Sequence, residues 1–321
     1  MVKSSEVKWI ERIRKRAGEA GTARQNGLVV GIGDDCAIFR PPGGSEDLLF
    51  TTDLLIEGVH FRRETHGAQD VGWKALARGL SDIAAMGGEP RFCLLSLALP
   101  EWADARWIDG FYTGFLRLAG RAGAPLAGGD LARAARAMCD VVVCGAAPRG
   151  KALRRDGARA GDAIYVSGAL GGSALGLSSA RGNARRRHLR PEPRLALGRF
   201  LRERLRATAA MDLSDGLSLD LWRLGRESKL SARIEPPPIF RGATLDQALH
   251  GGEDYELLFT VAPRTRVPTD FEGLALTRIG AMEPGTPGLV KLNGRPLPAL
   301  GWDHLRAGSG QGAPAPRRRV R

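Results

Sequence analysis

The sequence predicts an α+β protein with two domains. Short apolar runs that end at Gly, Pro or Asp predict strands at residues 28–31, 48–53, 92–99 and 138–145. Helical periodicity at 71–86 and 104–121 lies among these strands without alternating regularly with them, which favours α+β over a doubly wound sheet. A chain of 321 residues can form two cores, and a basic, glycine-containing stretch at 148–161 is the candidate boundary between them.

We therefore expect a first domain at 1–149, a second domain at 150–308, and a basic Gly/Pro/Arg tail at 309–321 that is disordered. A surface helix should form within residues 1–16, where apolar residues recur at helical spacing. In the second domain the pattern predicts helices and strands, namely helices at 173–180, 193–206 and 217–227 and strands at 163–167, 255–261, 274–279 and 289–292.

Composition and charge limit the class of protein. No apolar run approaches bilayer-crossing length and the N-terminal residues lack the apolar core of a secretory signal, so we expect no membrane association. The four cysteines form neither a CxxC pair nor a zinc-site spacing, which favours a reducing, cytoplasmic setting. The net charge of +13 comes mostly from dispersed arginines, with the densest runs at 185–187 and 317–319. No aromatic residues interleave with these runs, so we expect attraction for phosphorylated ligands at most, and no specific nucleic-acid binding.

Carboxylates recur in one unusual context, at the end of an apolar run or beside glycine. The motifs GIGDDCA, TTD, LSDIAAMGG, GGDLA, MDLSDGL and GGEDYEL contain Asp34, Asp35, Asp53, Asp82, Asp130, Asp212, Asp215, Glu253 and Asp254. Taken singly, each motif has an ordinary structural explanation as a turn, an N-cap or the approach to a glycine C-cap. Six such corners in one chain are poorly explained by turns alone.

Magnesium binding explains this pattern better. Mg²⁺ takes oxygen ligands, normally one or two carboxylates, and completes its shell with water and substrate phosphate. Glycines let the backbone approach phosphates and supply unhindered N–H donors. The sequence contains no GxxxxGK[ST] phosphate loop, no complete dinucleotide fingerprint and no protein-kinase catalytic loop. A nucleotide enzyme of this sequence must therefore use another architecture.

Taken in order, six segments resemble the thiamine-monophosphate kinase family, within the superfamily of aminoimidazole ribonucleotide synthetase and selenophosphate synthetase. They are GIGDDCAIF, TTDLLIEGVHF, KALARGLSDIAAMGGEPRF, LAGGDLAR, MDLSDGLSLDL and GGEDYELLFT. The resemblance runs from about Trp9 to about Leu305. It implies an N-terminal mixed α/β domain that pairs with its twin through a β-barrel-like interface in a homodimer. It also implies a C-terminal α/β domain that completes the active-site cleft.

The resemblance also implies roles for individual residues. Metal-binding positions match Asp35, Thr51, Thr52, Asp53, Asp82, Asp130, Asp212 and Asp215. Positions beside ATP match Tyr112, Gly129, Asp130, Arg155 and Ser214, and positions beside the thiamine phosphate match His60, Glu253 and Trp302. Among these, Asp53, Asp82 and Asp130 are the expected catalytic set. One departure concerns the ATP site, because Leu131 and Ala132 follow the glycine pair and Asp130 where the family has hydroxyl residues.

The implied activity is the last step of thiamine diphosphate biosynthesis. ATP, with several Mg²⁺ ions, would phosphorylate thiamine monophosphate by direct in-line transfer, because the acceptor phosphate is already anionic. For His60 a structural hydrogen bond is the competing interpretation, and for Trp302 it is packing of the C-terminal segment. Two other functions compete: ring formation or selenide activation by a relative of the superfamily, and a basic scaffold that has lost catalysis. The first cysteine, Cys36, lies inside the candidate metal loop, which argues against selenide chemistry.

Overall fold

The computed structural model describes residues 5–19, 27–179 and 181–305. In the first half, three helices and six strands form, in chain order: α1 Ser5–Glu19, β1 Leu28–Val30, β2 Ala37–Phe39, β3 Glu46–Ile56, α2 Ala68–Ala85, β4 Glu89–Leu99, α3 Ala105–Ala122, β5 Leu126–Arg133 and β6 Met138–Pro148. The strands make one sheet in the order β1-β2-β3-β6-β4-β5, in which only β4 and β5 run parallel.

Strand β3 shows how this sheet positions side chains. It pairs with β6 along its whole length, from Glu46 opposite Pro148 to Ile56 opposite Met138. Side chains alternate between the two faces of a strand. Leu49, Thr51 and Leu55 are buried on the face that packs against α2. Thr51 thereby faces the same helix that contains Asp82, whereas its neighbour Thr52 faces the other side of the sheet.

Helices α2 and α3 approach each other closely through two glycines. A Cβ atom added at Gly114 would lie 1.9 Å from the carbonyl oxygen of Gln69, and one at Gly72 would lie 2.0 Å from that of Phe111. Neither contact is sterically possible, so these positions require glycine at this helix separation. The buried Phe111 and Phe115 stack beside the contact, with ring centroids 6.1 Å apart.

We expect Gly114→Ala to destabilise the fold by about 1–3 kcal/mol, because the added methyl group must force the two helices apart. Gly120→Ala on the same helix is the matched control, since its Cβ would meet nothing within 4 Å. That change should be neutral or stabilising by up to about 1 kcal/mol, owing to alanine's higher helix propensity. Urea unfolding of both variants measures the difference, and equal stabilities would contradict the proposed role of the helix contact.

The second half forms another sheet with five helices. Its elements are β7 Ala163–Ser167, α4 Gly172–Ser178, α5 Asn183–Leu189, α6 Leu195–Phe200, β8 Ala209–Asp212, α7 Leu217–Glu227, β9 Ser231–Ile234, α8 Leu245–His250, β10 Leu257–Val261, β11 Asp270–Phe271, β12 Leu274–Glu283, β13 Val290–Leu292 and β14 Arg295–Pro296. A short 3₁₀ turn, Arg155–Gly157, precedes β7, and a π-helical turn, Leu201–Leu205, continues α6. The strands follow the order β14-β13-β9-β12-β7-β10-β8, with β11 paired to β12.

The two halves meet where α2 packs against β8 and α6. Helix α2 is buried along most of its length because it contacts its own sheet on one side and elements of the second half on the other. Gly198 of α6 allows this approach, since a Cβ there would lie 2.0 Å from the carbonyl oxygen of Ala84. Residues on α2 can therefore contact residues from both sheets.

The structure confirms the mixture of sheets and helices, and α7 and β7 have the bounds that the sequence predicts. The GGDLA segment, for which an ordinary turn was the competing interpretation, belongs to strand β5. The predicted helix at 193–206 is an α-helix only to Phe200 and then becomes a π-helical turn. The boundary between domains near residue 150 stays a prediction. The predicted disordered tail at 309–321 lies outside the described residues, and within them no helix is long and apolar enough to cross a membrane.

Candidate active site

Three carboxylates from distant parts of the sequence converge at the junction of the two halves. Asp35 lies in the loop between β1 and β2, Asp82 lies on α2, and Asp212 is the last residue of β8. One carboxylate oxygen of each lies within 4.8 Å of those of the other two. Asp35 and Asp212 are buried, and Asp82 is partly buried. We call these three residues the carboxylate cluster.

Hydrogen bonds hold each member of the carboxylate cluster. The Thr51 hydroxyl donates to Asp82 Oδ2 at 2.5 Å, and the Ser81 hydroxyl donates to Asp212 Oδ2 at 2.7 Å. Arg155 donates to both oxygens of Asp35, with distances of 2.5 Å from Nη2 and 3.2 Å from Nε. The cluster is thus fixed by neighbours on β3, α2 and the 3₁₀ turn.

The electrostatics of the carboxylate cluster favour a bound cation. Burial raises the pKa of Asp82 and of Asp212 well above the ordinary value, and the neighbouring carboxylates raise both further. Asp34, beside the cluster, has its pKa raised to about 7 by burial and by Asp35. Arg155 offsets these shifts only in part, so the protein's own positive charges do not fully compensate these acids. Closely spaced oxygen ligands with incompletely compensated negative charge are a donor set suited to a hard divalent cation.

Two further predicted acids lie near the cluster and pair with arginines. Asp53 accepts a hydrogen bond from Arg78 Nη2 at 2.9 Å, and it is close enough to contribute to the raised pKa of Asp82. Asp215 accepts one from Arg223 Nη1 at 2.5 Å. Both acids line the same cavity as Asp82 and Asp212, which has a volume of about 630 Å³. We call it the active cavity.

His60, Glu253 and Trp302 also line the active cavity. His60 Nδ1 accepts a hydrogen bond from the Ile56 backbone N–H at 3.0 Å, while its Nε2 has no partner among the described residues. Burial lowers the pKa of His60 to about 2, so the ring is neutral at pH 7. Trp302 is fixed by its backbone N–H, which donates to the Asp215 carbonyl at 2.9 Å, and by its indole, which donates to His304 at 3.1 Å.

Glu253 is held by a buried lysine that the sequence analysis did not single out. Lys74 Nζ lies 2.7 Å from Glu253 Oε1, and the Lys74 side chain has no exposed surface. His188 Nδ1 lies 3.3 Å from the other Glu253 oxygen, and burial lowers its pKa to about 2. The sequence did contain a signal for α2, because Lys74, Arg78 and Asp82 recur every four residues and so share one helix face.

The remaining predicted residues divide into two groups. Ser214 lines the active cavity, and its carbonyl accepts the Glu253 N–H at 2.7 Å. Tyr112, Thr52, Gly129 and Asp130 lie away from the cavity within this chain. Tyr112 packs against the hydrophobic core of the first half of the chain. The Thr52 hydroxyl donates to the Asp140 carboxylate at 2.6 Å, on the face of the first sheet that points away from α2.

Among these residues, Asp130 matters most, because it belongs to the expected catalytic and metal-binding set. Asp130 on β5 lies opposite Ser96 on β4. Ser96 in turn lies opposite Asp140 on β6, and Asp140 lies opposite Leu54 on β3. Three strand spacings, roughly 14 Å, therefore separate Asp130 from β3. Its side chain is on the exposed face, whereas Asp53 is on the face toward α2. The structure therefore brings together Asp35, Asp53, Asp82, Asp212 and Asp215 but does not bring Asp130 to them within one chain.

Comparisons with known proteins support the fold and the site described above. Residues 33–149 match the family model described as "AIR synthase related protein, N-terminal domain". A curated thiamine-monophosphate kinase of Salmonella typhimurium is 38% identical over 303 residues, which cover 86% of this chain and 91% of that protein.

Two solved structures are similar over nearly the whole chain. AaThiL complexed with AMPPCP and TMP has a TM-score of 0.80 at 33% identity, covering 91% of this chain and 96% of that one. Thiamine-monophosphate kinase from Stenotrophomonas maltophilia K279a has a TM-score of 0.73 at 39% identity, covering 92% and 98%. On this identity and coverage, together with the fold and the converging acids, the chain belongs to the thiamine-monophosphate kinase family.

Proposed function

We propose that this protein transfers the γ-phosphoryl group of ATP to the phosphate of thiamine monophosphate and so forms thiamine diphosphate. The observation that carries the proposal is the active cavity itself, which Asp82 and Asp212 of the carboxylate cluster line together with Glu253, His60 and Trp302. A kinase needs two sets of groups, one for the polyphosphate of the donor and one for the acceptor. The family relationship supports the same activity.

The carboxylate cluster fits Mg²⁺, and Asp35, Asp82 and Asp212 are the residues that would hold it. When bound, Mg²⁺ would neutralise and orient the phosphate groups of ATP. Asp53 and Asp215 are close enough to take part in binding further ions. Thr51 and Ser81 keep the carboxylates of Asp82 and Asp212 in fixed orientations through their hydroxyl groups. Arg155, beside Asp35, can contact an anionic phosphate with its remaining N–H groups.

Glu253, His60 and Trp302 suit thiamine monophosphate, whose thiazolium ring is positively charged. The carboxylate of Glu253 and the indole ring of Trp302 are groups that attract such a ring, by charge and by cation–π interaction. Because Nδ1 of the neutral His60 accepts the Ile56 N–H, its proton is on Nε2, which has no partner among the described residues and can donate to the substrate. Because the acceptor phosphate is already anionic near neutral pH, the protein has to position it and needs no strong base. We therefore propose direct in-line transfer.

Turnover with ATP, Mg²⁺ and thiamine monophosphate tests this proposal, with ADP release as the assay and identification of the product by mass spectrometry. We expect thiamine diphosphate to form in step with ADP. Formylglycinamidine ribonucleotide is the comparison substrate, because a ring-forming relative of the superfamily would use it instead. ADP release with that substrate alone would contradict the proposal. Salt-dependent DNA binding without ATP turnover would favour the scaffold alternative.

We also propose that the protein is a homodimer that pairs through the open face of the first sheet. This face includes Leu54 and Leu94, whose exposed fractions are 48% and 36%. Asp130 lies on the same face, so pairing would explain how it could reach the active cavity of a partner chain. Analytical ultracentrifugation should give twice the 34.4 kDa of one chain, and Leu54→Asp with Leu94→Asp should give the single mass. A wild-type monomer at micromolar concentration would contradict this arrangement.

The setting that we propose is the cytoplasm. All four cysteines, Cys36, Cys93, Cys139 and Cys144, are free and buried. Unpaired thiols persist in a reducing compartment, which supports this location.

A further inference from the structure

A second cavity, of about 550 Å³, lies beside the active cavity and is strongly basic. Its lining includes six arginines, of α3, α5 and the segment that follows α5: Arg117, Arg121, Arg186, Arg187, Arg190 and Arg194. Only two acidic residues, Glu192 and Asp254, line it. We call it the arginine cavity.

Four of these arginines are held in place by carboxylates at the edge of the cavity. Arg187 and Arg194 both pair with the buried Glu256, at 2.7 and 2.5 Å. In the same way Arg121 pairs with Glu192 at 2.7 Å and Arg190 pairs with Asp70 at 2.5 Å. Each guanidinium has five N–H donors, so a carboxylate partner fixes its position and still leaves donors for a ligand.

The other two arginines have no such partner. Arg117 on α3 and Arg186 on α5 are exposed, and neither side chain forms an ion pair or hydrogen bond with any residue in the described part of the chain. They approach the cavity from different helices. The cavity therefore combines guanidinium groups that are already oriented with two that are free to contact an anion.

The arginine cavity is separate from the active cavity, with which it shares no lining residue. The two cavities lie on either side of the same two chain segments. Arg187 and Asp254 line the arginine cavity, while the adjacent residues His188 and Glu253 line the active cavity. The arginine cavity is thus a distinct space and not an extension of the substrate site.

We propose that the arginine cavity binds a small molecule with two or more linked phosphate groups, without needing a metal ion. Guanidinium groups bind phosphate oxygens in pairs, and several of them around one space suit a polyanion. The volume lies within the range of cavities that hold small ligands, roughly 300–1,000 Å³. Binding without metal distinguishes it from the carboxylate cluster, which would repel phosphates unless a cation were present.

Isothermal titration of the full chain with inorganic pyrophosphate in metal-free buffer tests this proposal. We expect saturable binding to the wild type, and Kd at least about tenfold higher for Arg117→Gln combined with Arg186→Gln. The matched control combines Arg264→Gln with Arg266→Gln, which removes the same charge at two exposed positions far from the cavity in sequence. The control should bind pyrophosphate as the wild type does.

Three results would overturn the proposal: no binding to the wild type, unchanged binding to the Arg117/Arg186 variant, or equal weakening in the control. Parallel titrations with ADP and with thiamine diphosphate show whether a nucleotide or a thiamine compound supplies the linked phosphates. Circular dichroism checks that both variants fold. Because the readout is binding without metal, failure here leaves the proposed kinase activity untouched.

Discussion

Asp82→Asn is expected to lower turnover by roughly a hundredfold to a thousandfold, because it removes one of the three carboxylates that converge at the junction of the two halves. The substitution is close to isosteric, and its carbonyl oxygen can still accept the hydrogen bond from the Thr51 hydroxyl. The fold should therefore remain intact. Asp109→Asn on α3 is the matched control, since Asp109 is exposed and lies outside the active cavity.

The same substitution has an expected effect on stability in the absence of metal. Burial raises the pKa of Asp82 in the folded state, so the native protein holds a proton that the unfolded chain has released above about pH 4. The contribution of Asp82 therefore lowers the free energy of unfolding as the pH rises from about 4 toward the folded-state pKa. At pH 7 in metal-free buffer, Asp82→Asn should unfold at a higher temperature than the wild type.

Mg²⁺ should reverse this order. Metal binding favours deprotonated carboxylates, so calorimetry in two buffers of different ionisation enthalpy should detect proton release from the wild type at pH 7 and less from Asp82→Asn. Near-normal turnover together with unchanged proton release in Asp82→Asn would show that Asp82 is not a metal ligand.

Lys74→Met is expected to destabilise the protein by about 3–5 kcal/mol. Lys74 has no exposed surface, and its ammonium lies 2.7 Å from Glu253 and 3.4 Å from the His60 carbonyl. Removing the ammonium leaves the Glu253 carboxylate, which is only 16% exposed, without its main counter-ion. Since Glu253 lines the active cavity and is proposed to contact the acceptor, we also expect a higher KM for thiamine monophosphate. Urea unfolding measures the change in the free energy of unfolding.

A double-mutant cycle separates the ion pair from general packing. Glu253→Gln combined with Lys74→Met removes both charges, so the pair of substitutions should cost less than the sum of the two alone. Lys15→Met is the surface control, because the Lys15 side chain is 79% exposed, and it should change stability by less than about 0.5 kcal/mol. Additive effects of Lys74→Met and Glu253→Gln would rule out the coupling.

Elements with clear periodicity could be predicted from the sequence, and those that depend on neighbours could not. Helix α7 and strand β7 follow their hydrophobic patterns to the residue. Strand β5 was missed, because the edge segment Leu126–Arg133 is almost wholly exposed and shows no alternation of buried and exposed side chains. Strand β2 has only three residues, too few to establish a period.

The candidate site shows the same limit. Asp35, Asp82 and Asp212 stood out because acids beside glycine or after an apolar run are unusual, and the structure brings them together. Lys74 did not stand out, because a lone lysine on an amphipathic helix usually faces solvent. The separation of Asp130 from Asp53 follows from the strand order, in which β6 and β4 lie between β3 and β5. Strand order is a property of the assembled sheet, so the motif around Asp130 cannot reveal it.

The most direct measurement is a crystal structure of the protein with Mn²⁺ and a non-hydrolysable ATP analogue, with anomalous scattering used to locate the metal. Our account expects an anomalous peak bonded to carboxylates of Asp35, Asp82 and Asp212, with the analogue's phosphates completing its ligands. Peaks only at other sites, with the three carboxylates turned away from the nucleotide, would contradict it.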